Sequence, residues 1–74
     1  PDSKYREEMM FLIVESNYEL AINSIESKKE ERLLATIESY HNFADSYGDS
    51  SDLKRAQVLY DNAIRELENV RANK

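Results

Sequence analysis

One pair of residues and one line of four in this chain have spacings that permit chemistry, and both lie on helical surfaces. His41 and Asp45 stand four apart, close enough on one helix face to share a proton or begin a metal site. Two ligands do not complete a site, and the pair reads as exposed helix surface, with no catalytic, cofactor-binding or metal-binding residue assigned. Glu8, Glu15, Glu19 and Glu26 hold one line along a helix that could take a cation or a basic partner, and they read first as a solvated stripe that keeps an otherwise apolar helix wet. Serines are frequent, but no nucleophile elbow and no glycine-rich phosphate loop surrounds any of them. Tyr5, Tyr18, Tyr40, Tyr47 and Tyr60 could line a peptide groove; at helical spacing they read first as packing residues with a wet hydroxyl. Nothing here points to an enzyme or to a cofactor.

Composition narrows the class further. The 74 residues carry 34% charged and 41% hydrophobic side chains with one Gly and one Pro, which suits one small all-α domain. A net charge of -5 opposes binding to nucleic acid or to an anionic membrane surface. No apolar run approaches the roughly 18 residues of a spanning helix, so direct membrane insertion of this segment is not expected. No stretch has the charged, apolar and small-residue order of a signal peptide. With no Cys, there are no disulfides and no thiolate chemistry, and the compartment stays open.

Three helices must position these residues, over about 4–26, 28–47 and 52–70. Pro1, Asp2 and Ser3 form the expected turn and cap of the first. Its centre is Met9-Met10-Phe11-Leu12-Ile13-Val14, six apolar residues in a row, which no one-sided helix produces. On a helical wheel Tyr5, Met9, Leu12, Ile13, Ser16 and Leu20 share one face, while Met10, Val14, Ala21 and Ile25 lie opposite, flanked by Phe11, Tyr18 and Ile22. The first helix therefore needs cover on two sides. Met10, Phe11, Val14 and Tyr18 are expected to pack on an upstream repeat or on a partner.

The second helix shows one apolar face of Leu33, Thr36, Ile37, Tyr40, Phe43, Ala44 and Tyr47, and a capping box of Ser27 with Glu30 is expected to open it. Gly48 should close it in a left-handed conformation, and Asp49 to Asp52 should cap the third helix. That helix carries Leu53, Ala56, Tyr60, Ala63, Ile64, Leu67 and Val70 on one face and polar residues on the other. A two-faced helix followed by two one-faced helices is the pattern of an array that ends here, with the missing layer expected before Pro1. A shift of 47 positions also pairs Asp2 with Asp49, Ser3 with Ser50, Leu12 with Leu59, Glu19 with Glu66 and Leu20 with Leu67.

Thr36, Tyr40, Phe43 and Gly48 stand at the spacings of the second helix of a tetratricopeptide repeat, with Gly48 where that family usually has Pro. The words P-D-S-K-Y-R-E-E at 1–8, Ile37-Glu38-Ser39-Tyr40, F-A-D-S-Y-G-D-S at 43–50 and Y-E-L-A-I-N-S-I-E-S-K-K-E-E-R at 18–32 resemble the outer-membrane lipoprotein family BamD (ComL), in its Bacteroidetes-like form. The resemblance implies an antiparallel three-helix piece of a tetratricopeptide-type right-handed solenoid, at the C-terminal end of a longer repeat array. It also implies a non-enzymatic scaffold on the periplasmic face of the outer membrane, docking to periplasmic domains of the barrel subunit BamA and neighbouring assembly-machinery subunits, with a lipid anchor upstream. The other readings are an unrelated tetratricopeptide adaptor gripping an extended peptide, and a helical accessory domain of an enzyme. Left uncovered, the second apolar face of the first helix is expected to drive self-association.

Overall fold

A computed structural model describes residues 2–73 as three α-helices: α1 over Asp2–Ile22, α2 over Glu26–Ser46 and α3 over Leu53–Ala72. The cap expected from Asp2 or Ser3 and the turn at Pro1 lie outside the residues and side chains described. Among the described residues there is no strand, so the chain is all-α.

The core shows how the helices run. One cluster joins Phe11 and Val14 of α1 to Phe43 near the end of α2 and Ala56 near the start of α3. The other joins Ala21 at the end of α1 to Leu33 near the start of α2 and Ala63 and Leu67 in the second half of α3. Each helix thus meets the next head to tail, and the three lie antiparallel in an elongated body of 45 × 16 × 14 Å. Small residues let the helices approach: Ala21, Ala56 and Ala63 are fully buried. Thr36 and Ser39, the buried polar side chains, turn their hydroxyls back onto their own helix. Thr36 Oγ1 donates to the Arg32 carbonyl at 3.0 Å and Ser39 Oγ to the Thr36 carbonyl at 2.8 Å, so neither enters the core unsatisfied. Ser39 was not expected inside; a hydroxyl that bonds its own helix packs like a small apolar group, a property that residue type does not reveal.

The helix ends differ from the sequence expectation in three places. First, α1 stops at Ile22 and α2 starts at Glu26, so Glu26 leaves the glutamate line of α1, and Ile25 leaves its inner face to stand extended and exposed before α2. The break comes from Asn23 and Ser24, whose side chains bond the Glu19 and Leu20 carbonyls and whose backbone amides turn back onto Glu19 and Ala21. Second, no side chain caps α2, because Ser27 already lies inside the helix, one residue past its start. Ser24 instead accepts from Arg32 Nη1 at 3.0 Å across the turn. Third, Gly48 is not left-handed. It is tight in another way: a Cβ there would sit 3.3 Å from the Ala44 carbonyl oxygen, where the connection turns closely over the end of α2.

Ion pairs and rings fix the remaining contacts. Lys29 with Glu66 at 3.3 Å and Arg71 with Glu30 at 2.9 Å join the start of α2 to the end of α3. Tyr40 stacks on Tyr60 with centroids 4.5 Å apart, and His41 lies edge-on to Tyr60 at 5.3 Å.

Candidate functional site

The residues expected to meet an outside layer turn inward. Phe11 and Val14 are buried, and Met10 and Tyr18 are half-buried against the two core clusters of this same chain. Phe11 meets the Phe43 ring edge-on at 6.1 Å, and its other side is covered by the Arg55 guanidinium, 4.6 Å from the ring centroid. Arg55 is held there by Asp52 at 3.3 Å. The reason for the inversion is that the wheel defines two apolar faces of α1 but not which of them α2 and α3 will take. They take the face where the Phe11 ring stands beside the smaller Val14 and Ala21, which let the neighbouring helices approach closely.

The opposite face is left bare. Tyr5, Met9, Leu12, Ile13 and Leu20 are 64%, 40%, 48%, 49% and 54% exposed, with Ser16 exposed in their midst. They follow one line down the outside of the body, bordered by α2 where Ile13 nears Ser39 and Asn42 and by the start of α3 where Leu12 nears Asp52 and Arg55. Large apolar side chains exposed singly are ordinary, as Leu34 on α2 and Val58 on α3 show; five on one stripe form a patch. Glu8, Glu15 and Glu19 border the stripe on one side, and Arg6 and Asn17 on the other. A shallow depression between Met9, Leu12, Ile13, Ser16 and Asn17 marks its middle.

The chemical candidates disperse. His41 and Asp45 are both exposed and share no hydrogen bond or ion pair among the described residues; the imidazole packs on Tyr40 and Tyr60 instead. No group of three or more His, Asp or Glu side chains among the described residues is placed to hold a metal ion. The tyrosines do not converge on one groove. Tyr5 stands on the outer face of α1, Tyr18 and Tyr47 pack against different core clusters, and Tyr40 and Tyr60 stack across α2 and α3. No helix among the described residues is long and apolar enough to cross a membrane.

A polar contact between the start of α1 and the α2–α3 connection has no local sequence signal. Ser50, in the connection between α2 and α3, donates its hydroxyl hydrogen to the Glu7 carboxylate on α1 and accepts the Asp52 amide at 3.0 Å. Ser50 was expected to cap α3; the side chain from 43 positions away that completes its bonding had no local signal.

Compared with known proteins, the chain matches no protein-family profile, no curated protein and no solved structure.

Proposed function

We propose that this chain is a non-enzymatic protein-interaction module, and that the outer face of α1 is its contact surface. The observation that carries this reading is the bare apolar stripe from Tyr5 to Leu20 on a helix whose other face is already packed. Exposing a stripe of this kind raises the risk of aggregation, and a soluble chain retains one most readily where a partner covers it. The mechanism is display: the packed helices hold the stripe straight, and no bond is made or broken.

The particular reading is a scaffold similar to the C-terminal region of BamD, part of a right-handed tetratricopeptide-type solenoid in the machinery that assembles outer-membrane β-barrels. It rests on the sequence words at 1–8, 18–32 and 43–50. By that resemblance the partners are periplasmic domains of the barrel subunit, on the periplasmic face of the outer membrane. The test is a pull-down of purified BamA-like periplasmic domains by the chain and by a Leu12→Glu, Ile13→Glu variant. Capture by the first and not the second is expected. Failure of the folded chain to capture them would remove the BamD reading and leave the interaction module to the experiment below.

A further inference from the structure

The bare stripe has a shape and a charged border that restrict what can cover it. From Tyr5 to Leu20 it runs straight for roughly 22 Å at about 1.5 Å per residue, on a convex helix whose ridges are matched by the grooves of another helix. Along one border lie Glu8, Glu15 and Glu19, with Lys4 at the N-terminal end. The described ion pairs engage none of these carboxylates; they are Lys29 with Glu66, Arg55 with Asp52 and Arg71 with Glu30. Any cover that excludes water from the stripe therefore brings its own edge against three carboxylates.

A second copy of this chain fits the apolar part and fails at the border. Laid antiparallel about the point between Leu12 and Ile13, two copies place Leu12 on Ile13, Met9 on Ser16 and Tyr5 on Leu20. The two-fold axis that does so also puts like border against like border. Each copy then brings Glu8, Glu15, Glu19 and Lys4 to the same edge, together with the mutually paired Asp52 and Arg55, a net charge of -2 from each and -4 together. Like charges at this range, beside a dry seam, oppose pairing. A parallel pair sets the acidic border against the other one, where Arg6 is the lone cation each copy supplies.

Resting on the interaction-module reading, we infer that the occupant is an amphipathic helix of a protein partner, with an apolar stripe and Lys or Arg residues along one edge. The partner's cations lie against Glu8, Glu15 and Glu19, and its apolar residues cover Leu12 and Ile13.

The test uses the full chain and two labelled helical peptides of about 18 residues that share one Leu and Ile stripe and carry either Lys or Glu along its edge. Fluorescence anisotropy should show the Lys-edged peptide binding at least about tenfold tighter, with the advantage shrinking in high salt. Leu12→Glu should abolish binding of both peptides while the helical circular dichroism is kept, and Glu8→Gln with Glu15→Gln and Glu19→Gln should erase the Lys advantage. Equal affinities for the two peptides would overturn the charged-edge inference and leave the interaction module standing. So would a chain that sediments as a dimer and is dissociated by Leu12→Glu, which would give the face to a second copy. A folded monomer that binds neither peptide would overturn both.

Discussion

Ile13 and Val14 are adjacent on α1, about 100° apart around the helix, and fall on different surfaces: Val14 is 0% exposed inside the core and Ile13 is 49% exposed on the outer face. The six-residue apolar run thus serves two surfaces, one already satisfied within the chain and one open. Substitutions on the two sides should have opposite consequences.

Leu12→Glu with Ile13→Glu should leave the fold intact, change unfolding free energy by no more than about 1 kcal/mol, and suppress hydrophobic-dye binding. Val14→Glu should unfold the chain, because the carboxylate has no partner among Phe11, Phe43 and Ala56. Circular dichroism and dye fluorescence on both variants check this; a stable Val14→Glu protein would refute the assignment of faces.

Phe43→Ala removes the largest fully buried side chain, against which Phe11 and Tyr47 rest. A loss of about 3–5 kcal/mol is expected. For a chain this small that is comparable to its whole stability, so the variant should be largely unfolded in thermal and urea melts. Val58→Ala, on the exposed side of α3, should change stability by less than about 0.5 kcal/mol in the same melts.

Gly48→Ala separates two accounts of the only glycine. A left-handed glycine would make alanine cost roughly 1–2 kcal/mol, as the sequence expectation implies. The backbone here is not left-handed, and the new Cβ needs the Ala44 carbonyl to yield by only a few tenths of an ångström. The reduced freedom of the unfolded chain offsets that contact. Stabilities from urea melts should agree within about 0.5 kcal/mol, and a clear loss would show that the Ala44 carbonyl does not yield to the new Cβ.

Ser50→Ala leaves the Glu7 carboxylate and the Asp52 amide to water at a half-buried site, so a loss of about 1 kcal/mol is expected. A double-mutant cycle with Glu7→Gln measures the coupling. Additive effects would show that the two side chains do not act on each other.

Much of the fold was legible in the chain itself. The faces of α2 and α3 followed from 3.6-residue periodicity, since Leu33, Thr36 and Phe43, then Ala56, Ala63 and Leu67, recur at spacings that only a one-sided helix gives. The exposure of His41 and Asp45 followed from their place opposite that face. The ends were less legible. Asn23 and Ser24 stop α1 through bonds to its own last carbonyls, and Ser27 with Glu30 matched a capping pattern two residues too late, since Ile25 holds the N-cap position.

Periodicity determined that α1 has two apolar faces, because the spacing of side chains around a helix is local geometry. Only the tertiary structure decided which face is core and which is surface. That choice is a competition in packing between Phe11, Val14 and Ala21 on one side and Met9, Leu12 and Ile13 on the other, judged against Phe43, Leu33, Ala56 and Ala63 on distant helices. The same holds for Glu7 and Ser50, where two residues without a shared local signal meet because the helices fold back on one another.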